Sequence, residues 1–397
     1  MNFVFISPNF PTDFYQFCVA LNDNGVTVLG VGDCPYDNLD FRLKASLKEY
    51  YYVESLENYD KVAEAVAYFE NKYGHIDWLE SNNEYWLSQD AKLRTQFQID
   101  TGIKEDEIDY IKSKSHMKEL YEKAGVKVAR YILVSDLENA KDFAKEVGYP
   151  LVVKPDVGVG ASNTFKINDS QELKAFFDQP ISEPMIMEEY INGDLISYDG
   201  IANSQKEVIF ETSHVFPRQV MNVVNGNMDF FYWSIRDIPD VLREAGKSVV
   251  KAFPTASRCF HLEFFALKED KDGLGQKGDI IGLEVNMRTP GGLTPDMMNY
   301  ASDINMFQIY ADMVCYDKPQ MPINGKKYYC VYAARRNEHN YLIPLEDIKT
   351  LFKWSIVESG RNDAAIAPAM GDQYVIARFK DPQDIWPFIN AVVEDNK

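Results

Sequence analysis

The sequence predicts a mixed α/β and α+β protein, and three observations support this fold class. Residues 3–7, 15–22 and 26–31 have the patterns of a strand, a helix and a strand, an order that implies a parallel sheet. Residues 196–216 instead alternate like antiparallel strands. A chain of 397 residues is also too long for one compact core. We therefore expect a parallel N-terminal domain followed by α+β domains.

Composition excludes several classes of function. The formal charge of −20 and the pI near 4.7 disfavour nucleic acid, because phosphate backbones need a basic footprint. No apolar run approaches the ~20 residues of a membrane helix, and the N-terminus has no basic leader. The cysteines show no Cys-x-x-Cys spacing, which favours reduced thiols. We expect a cytoplasmic protein with no membrane or nucleic-acid partner.

The N-terminal part continues the strand–helix pattern with a strand at 51–53 and a helix at 59–73. The turn after the first strand, Ser7-Pro8-Asn9-Phe10-Pro11, lacks Gly-x-Gly-x-x-Gly and does not favour a dinucleotide site. Asn82, Asn83 and Glu84 follow another strand. Capping of the next helix is the favoured interpretation, with a ligand site as the alternative.

A lysine at the end of an apolar strand is the next feature. Helices are predicted at 114–124 and 139–147, and the strand at 149–155 places Lys154 before a loop of small residues at 156–163. Such a lysine and the N–H groups of such a loop suit a polyphosphate. A hairpin turn with a solvent-directed lysine explains the segment equally well.

The remaining elements follow the same kind of evidence. Strands are predicted at 164–167, 184–191, 259–267 and 280–287, and helices at 171–177, 241–253 and 294–315, the last capped by Thr294-Pro295-Asp296. Residues 326–397 indicate a small separate α+β unit with strands at 328–334 and 373–379 and helices at 345–352 and 382–393. Two arginines among aromatic residues, Arg218 and Arg236, are weaker candidates for a substrate cleft, and Arg335-Arg336 is interpreted as surface.

The strand at 283–288 has an unusual polar face. Side chains alternate along a strand, so Glu284, Asn286 and Arg288 point one way and the apolar residues between them point the other. A hairpin with the strand at 259–267 can bring Glu263 opposite Glu284 or Asn286. Two facing carboxylates repel each other unless a cation lies between them. One divalent cation explains Glu263, Glu284 and Asn286 together, and Arg288 can hold an anionic oxygen.

The order of these features resembles the ATP-grasp superfamily, in the branch with biotin carboxylase, carbamoyl phosphate synthase and amino-acid ligases. The resemblance covers roughly residues 1–325. It implies a Rossmann-like pre-ATP-grasp domain at 1–112, ATP-grasp subdomains at 113–190 and 191–325, and a small C-terminal α+β domain at 326–397.

The resemblance also implies residue roles. Lys114 and Lys154 match the ATP-phosphate lysines, and Val157–Asn163 matches the flap over the phosphates. The metal ligands would be Glu263, Glu284 and Asn286, and Arg288 would steady the phosphoryl and acyl-phosphate oxygens. In the adenine hinge, backbone groups of Glu189 and Ile191 would face the base, and one acidic side chain would bind the ribose. The nucleotide-binding residues so implied are Lys114, Lys154, Gly158, Gly160, Ala161, Ser162, Glu188, Glu189, Tyr190 and Ile191.

The implied activity is an ATP- and Mg²⁺-dependent carboxylate–amine ligase, with Mn²⁺ as an alternative metal. Its partners would be a small-molecule carboxylate and an amine, such as two amino acids, and the family leads us to expect a homodimer. Two alternatives remain open. One is a bicarbonate-activating enzyme like biotin carboxylase or carbamoyl phosphate synthase, and the other is a nucleotide-binding regulatory protein without catalysis.

Overall fold

A computed structural model describes residues 1–158, 163–218, 223, 226–323, 327–364 and 366–395. Within these residues, no helix is both long enough and apolar enough to cross a membrane. The described strands form three sheets, and the mixed α/β and α+β class predicted from the sequence is confirmed.

The first sheet is parallel, with strand order β3-β2-β1-β4. Residues Phe3–Ile6 of its inner strand are all fully buried, as expected where helices cover both faces of a parallel sheet. This sheet confirms the N-terminal prediction. Its elements are β1 (Asn2–Ile6), α1 (Tyr15–Asp23), β2 (Thr27–Gly32), α2 (Phe41–Ser46), β3 (Glu49–Tyr52), α3 (Tyr59–Tyr73), β4 (Trp78–Glu80) and α4 (Leu87–Gln96).

The second sheet is small and antiparallel, with order β5-β8-β6-β7. Its core is an apolar cluster in which Leu151, Val153 and Met187 are fully buried against α7. Two helices precede it. The elements are α5 (Asp109–Lys112), α6 (Lys114–Lys123), β5 (Tyr131–Leu133), α7 (Leu137–Val147), β6 (Leu151–Pro155), β7 (Phe165–Ile167), α8 (Ser170–Phe177) and β8 (Met185–Glu189).

The third sheet has order β14-β13-β9-β11-β12-β15-β17-β16, with β10 paired to β9. Its neighbouring strands are antiparallel, as predicted for the central region. The elements are β9 (Gly193–Ala202), β10 (Val208–Thr212), β11 (His214–Phe216), β12 (Phe230–Ser234), α9 (Asp240–Ala252), β13 (Arg258–Leu267), β14 (Ile280–Asn286), α10 (Thr294–Ser302), α11 (Met306–Tyr316), β15 (Tyr329–Arg335), α12 (Leu345–Leu351), β16 (Ile356–Arg361), α13 (Ala367–Met370), β17 (Gln373–Phe379) and α14 (Ile385–Val393).

The C-terminal strands are part of this third sheet. Tyr232 on β12 pairs with Tyr332 on β15, and β17 and β16 extend the same sheet. The tail therefore does not form a sheet of its own, and strand β16 has no counterpart among the strands expected from the sequence. The domain boundaries given above remain predictions.

The single helix expected over 294–315 is wrong, because the chain forms α10 and α11 with a break between them. Asp303 adopts a left-handed conformation with φ of +50°. Asn305 then accepts hydrogen bonds from the N–H groups of Phe307 and Gln308 at 3.0 and 3.2 Å, and this cap starts α11. The Thr294 hydroxyl donates to the Gly291 carbonyl at 2.8 Å and does not cap α10.

The surface assignment of Arg335-Arg336 is also wrong. Both residues are about 95% buried, with exposed fractions of 4% and 5%. Their guanidinium groups donate to backbone carbonyls, Arg335 to Ile343 at 2.8 Å and Arg336 to Ala367 at 2.6 Å. Neighbouring residues on a strand point to opposite faces, so each arginine joins a different layer to the third sheet.

Candidate active site

A cleft of about 290 Å³ lies between the second and third sheets. It collects residues from α6, β6, β8, β13 and β14, which are far apart in sequence. Ten of the residues singled out from the sequence line it: Lys114, Lys154, Glu188, Glu189, Tyr190, Ile191, Glu263, Glu284, Asn286 and Arg288. Gly158 lies beside it, since its carbonyl accepts from Lys114 Nζ at 3.3 Å. Gly160, Ala161 and Ser162 fall outside the described residues.

Two carboxylates face each other in the hairpin of β13 and β14. Glu263 pairs directly with Glu284 in the register, and His261 pairs with Asn286. Burial raises the pKa of Glu284, and the charge of Glu263 raises it further against the opposing effect of Lys114. The two carboxylates therefore repel each other in this arrangement. All three predicted ligands offer oxygen atoms, which suits a hard divalent cation.

A buried histidine orients one of these carboxylates. His261 Nε2 lies 3.1 Å from Glu263 Oε1, and its Nδ1 contacts Asp199. Asp199 is fully buried and also contacts His214 Nδ1 at 2.8 Å. Burial alone would raise the pKa of Asp199, but the two histidines outweigh it and lower the pKa to about 2. This network could not be predicted from the sequence, because its members lie on three strands that are separated along the chain.

The part of the cleft that contains Lys154 is built around a carboxylate. Glu188 on β8 lies 3.0 Å from both Lys118 Nζ and Lys154 Nζ. Burial would raise the pKa of Glu188, but the two lysines outweigh it and lower the pKa to about 2. Lys114, on the same helix one turn before Lys118, has a pKa lowered by burial. This part of the cleft thus contains three lysines and one carboxylate, a local excess of positive charge that suits an anion.

Replacing Glu188 with glutamine should destabilise the protein. The change leaves two buried ammonium groups without their shared carboxylate, a loss that costs about 3–5 kcal/mol in comparable buried pairs. We expect a lower unfolding temperature at pH 7, and a difference from wild type that shrinks as the pH falls from 4.5 toward 2 and Glu188 protonates. Glu138→Gln removes an exposed partner and serves as the control. An unfolding temperature equal to that of the control would contradict the shared-carboxylate role.

The segment expected to bind adenine has its side chains engaged. Glu189 accepts from the Arg130 guanidinium at 2.7 and 3.0 Å, and Lys271 lies 3.3 Å from it. Neither Glu188 nor Glu189 therefore offers an uncommitted carboxylate to a ribose. The backbone is engaged as well: the Tyr190 N–H donates to the Pro150 carbonyl, the Tyr190 carbonyl accepts from Lys271, and the Glu189 N–H donates to the Arg130 carbonyl at 3.0 Å.

Arg288 lines the cleft beside the carboxylate of Glu84, which the sequence had favoured as a helix cap. Glu84 Oε2 lies 3.5 Å from Arg288 Nε, and Glu84 Oε1 accepts from Lys112 Nζ at 2.9 Å. The interpretation of Glu84 as a helix cap is wrong, since α4 begins at Leu87 without a side-chain cap. The position of Glu84 after the short strand β4 was the sequence feature that indicated the alternative, a ligand site.

The two other arginines proposed for the cleft lie outside it. Arg218 donates to the Asp229 carbonyl at 2.8 Å and stacks over the Phe231 ring. Arg236 is partly exposed and pairs with Asp237 at 2.9 Å. Of the three arginines considered from the sequence, Arg288 alone is among the residues that line the cleft in the described part of the chain.

Two cleft lysines escaped the sequence analysis. Lys118 follows Lys114 by four residues, so both lie on one face of α6, a spacing that could have identified it. Lys166 on β7 lies 4.3 Å from the centre of the Tyr190 ring and pairs with Val152 in the register, a contact that only the fold creates.

Comparisons with known proteins agree with this architecture. Residues 112–227 match the family model of the phosphoribosylglycinamide synthetase ATP-grasp (A) domain. An L-arginine-specific L-amino acid ligase of Bacillus subtilis is 25% identical over 297 residues, which cover 70% of this chain and 68% of that protein.

Solved structures show the same fold over nearly the whole chain. An L-amino acid ligase from Bacillus licheniformis has a TM-score of 0.71 at 14% identity, over 99% of this chain and 97% of that one. The biotin carboxylase domain dimer of Hydrogenobacter thermophilus 2-oxoglutarate carboxylase, in complex with MgADP, ADP and bicarbonate, has a TM-score of 0.66 at 15% identity, over 98% and 87% of the two chains. Residues 112–227 of this chain are therefore similar to an ATP-grasp domain, and the chain shares its fold with these solved structures.

Proposed function

We propose that this protein is an ATP- and Mg²⁺-dependent ligase that joins a small-molecule carboxylate to an amine, with amino acids as substrates. One observation carries the proposal. The carboxylates Glu263 and Glu284 face each other in the same cleft that holds Lys114, Lys154 and Arg288. Paired acids suit a metal, and the cations suit the phosphates and acyl phosphate of such a reaction. Similarity to the L-amino acid ligases supports amino-acid substrates.

The residues present fit a magnesium ion. The pKa of Glu284 is raised by burial and by the Glu263 charge, and a cation between the two carboxylates would remove that repulsion. Glu263, Glu284 and Asn286 would hold Mg²⁺, and Mn²⁺ is a second candidate for the same oxygen ligands. When bound, the ion neutralises phosphate charge during transfer.

The protein's own residues then serve two successive displacements. In the first, a substrate carboxylate oxygen bonds to the γ-phosphorus, the bond between that phosphorus and the bridging oxygen breaks, and ADP leaves. In the second, the amine nitrogen bonds to the acyl carbon, and the bond from that carbon to the phosphate oxygen breaks. Phosphate leaves with the electron pair of that bond and takes up the proton that the nitrogen releases. Lys114 and Lys154 hold the phosphates, and Arg288 steadies oxygens that gain charge. The Glu188 carboxylate pairs with Lys154 and keeps that lysine in place.

A screen of ADP release over pairs of amino acids tests the proposal. We expect at least one pair to accelerate ADP release well above the rate with ATP and Mg²⁺ alone, with loss of activity in EDTA. Bicarbonate-dependent release without any organic acid would instead support the bicarbonate-activating alternative, which the fold shared with a biotin carboxylase domain favours. Absence of stimulation by either class of substrate would leave a non-catalytic nucleotide-binding protein and contradict the proposed activity.

The proposal extends to assembly and location. We propose a homodimer, in keeping with the dimer of the biotin carboxylase domain that shares the fold, and a cytoplasmic location. Sedimentation of the purified protein with and without ATP tests the dimer.

A further inference from the structure

A second group of acidic side chains lies on the chain beyond the cleft. We name Asp13, Asp296 and Glu358 the acidic triad. They come from the loop after β1, from α10 and from β16. Gln16 Nε2 donates to Asp296 Oδ1 at 3.3 Å, and Tyr300, on the same face of α10 as Asp296, donates to Glu358 Oε2 at 3.0 Å. These contacts place α1, α10 and β16 next to one another.

The triad carries charge without a cation. Among the described residues, none of the three carboxylates forms an ion pair with a lysine, an arginine or a histidine, whereas the carboxylates of Glu188, Glu189 and Asp199 all do. Asp13 is 9% exposed, and its Oδ2 is buried with no hydrogen-bond partner in the described part of the chain. Since a buried acceptor without a donor is costly, this oxygen is a candidate acceptor for a ligand.

The triad also opposes its own ionisation. Burial raises the pKa of Asp13 to about 7, with a further contribution from the Asp296 charge. Burial and the Glu358 charge raise the pKa of Asp296 to about 6. In the described structure the group therefore costs stability at neutral pH, because ionised carboxylates repel one another there. A positively charged ligand would reverse this cost.

The position of the triad relates it to the reaction centre. Asp296 follows Arg288 by eight residues, across the Pro290-Gly291-Gly292 turn. Asp13 lies after the carboxyl end of β1, the edge at which open parallel sheets bind ligands. The two residues thus belong to the segment that follows Arg288 in sequence and to the loop at the carboxyl end of the first parallel strand.

We propose that the acidic triad binds the cationic side chain, a guanidinium or an ammonium group, of an amino-acid substrate. The inference rests on the proposed ligase function, because only that function makes the bound amino acid a substrate. A guanidinium presents a planar fork of donors that matches carboxylates, and the unpaired Asp13 oxygen can accept one of them. The Tyr300 and Tyr374 hydroxyls, both bonded to Glu358, hold the third carboxylate in position.

Calorimetric titration of the ADP- and Mg²⁺-loaded protein tests the inference without requiring turnover. L-Arginine and L-citrulline have the same shape and α-amino acid group, and differ in side-chain charge. L-Lysine and L-norleucine form a second such pair. We expect the cationic member of one pair to bind at least ten times more tightly than its neutral partner. Equal affinities in both pairs would overturn the inference.

Substitutions locate the effect. In Asp296→Asn we expect the affinity for the cationic amino acid to exceed that for its neutral partner by about twofold or less. The reason is that a hydrogen bond to a charged group raises affinity by a factor of roughly 10 to 100. Asp347→Asn, an equal charge change at an exposed position of α12, should keep the wild-type preference. Asp296→Asn should also raise the unfolding temperature at pH 8 without amino acids. A lower unfolding temperature together with an unchanged preference would mean that the triad is structural, and this too would overturn the inference.

The two proposals fail separately. Preferential binding of the cationic amino acid without ADP release over the whole screen would contradict the ligase function and leave the binding site standing. ADP release with neutral amino acids, combined with equal binding of both members of each pair, would keep the ligase function and remove the triad's role.

Discussion

Replacing Glu284 with alanine is expected to abolish substrate-stimulated ADP release and to weaken Mg²⁺-dependent nucleotide binding. Glu284 faces Glu263 in the β13–β14 register, and burial and that neighbour raise its pKa. Its removal takes away half of the negative charge that would hold the metal between the two strands. A metal that both binds and neutralises phosphate affects nucleotide affinity as well as turnover. We therefore expect loss of both, with activity below a hundredth of the wild-type rate, on the order of the loss of a charge-stabilising group.

The control variants separate this effect from misfolding. Glu244→Ala removes an exposed carboxylate on α9 and should leave nucleotide binding and ADP release unchanged. Glu284→Gln keeps an oxygen ligand but loses the charge, so we expect part of the activity to return at high Mg²⁺ concentration. Nucleotide affinity and the rate of ADP release are each measured as functions of ATP concentration at several Mg²⁺ concentrations. Full ADP release by folded Glu284→Ala would show that the metal assignment is wrong.

Replacing Arg288 with alanine is expected to lower turnover far more than ATP affinity. Arg288 lies in the cleft beside Glu84 and donates to the Thr289 carbonyl at 2.7 Å. Lys118 on α6 and Lys154 on β6, in contrast, pair with Glu188. A group that acts on charge developing in the reaction lowers kcat when it is removed, by a factor of about 10² to 10³. We expect the Kd for ATP to change less than threefold.

Two further variants sharpen the test of Arg288. Arg288→Lys retains the charge without the bidentate fork, and we expect intermediate turnover. Arg236→Ala removes an arginine that lies outside the cleft and pairs with Asp237, so it should match wild type. Single-turnover measurements with saturating ATP separate the chemical step from binding. An equal loss of ATP affinity in Arg288→Ala and Glu284→Ala would contradict the division of roles between them.

Local pattern was sufficient for much of this site. Alternation along 283–288 placed Glu284, Asn286 and Arg288 on one face, and the hairpin brought Glu263 opposite Glu284 as anticipated. The helix at 59–73 and the strand at 373–379 also have the predicted bounds. These features depend on periods of two and 3.6 residues and on short connections, which a sequence shows directly.

Other expectations failed where the deciding contact lies far away in sequence. The helix at 294–315 is broken because Asp303 turns the chain and Asn305 starts a new helix. Arg335 and Arg336 are buried because backbone carbonyls from distant segments receive their guanidinium groups. The residues after 326 join the third sheet because β15 pairs with β12, a partner almost one hundred residues away.

By itself, the sequence determined the fold class, the strand–helix–strand opening of the parallel sheet, the lysine at the end of β6 and the polar face of β14. These follow from the local spacing of apolar and charged residues. Only the tertiary structure decided that Glu188 is held between Lys118 and Lys154, that Asp199 joins two histidines, and that Asp13, Asp296 and Glu358 meet without a cation. Such partnerships depend on which strands and helices pack together. Whether a buried carboxylate has a cationic partner is therefore decided by the tertiary structure.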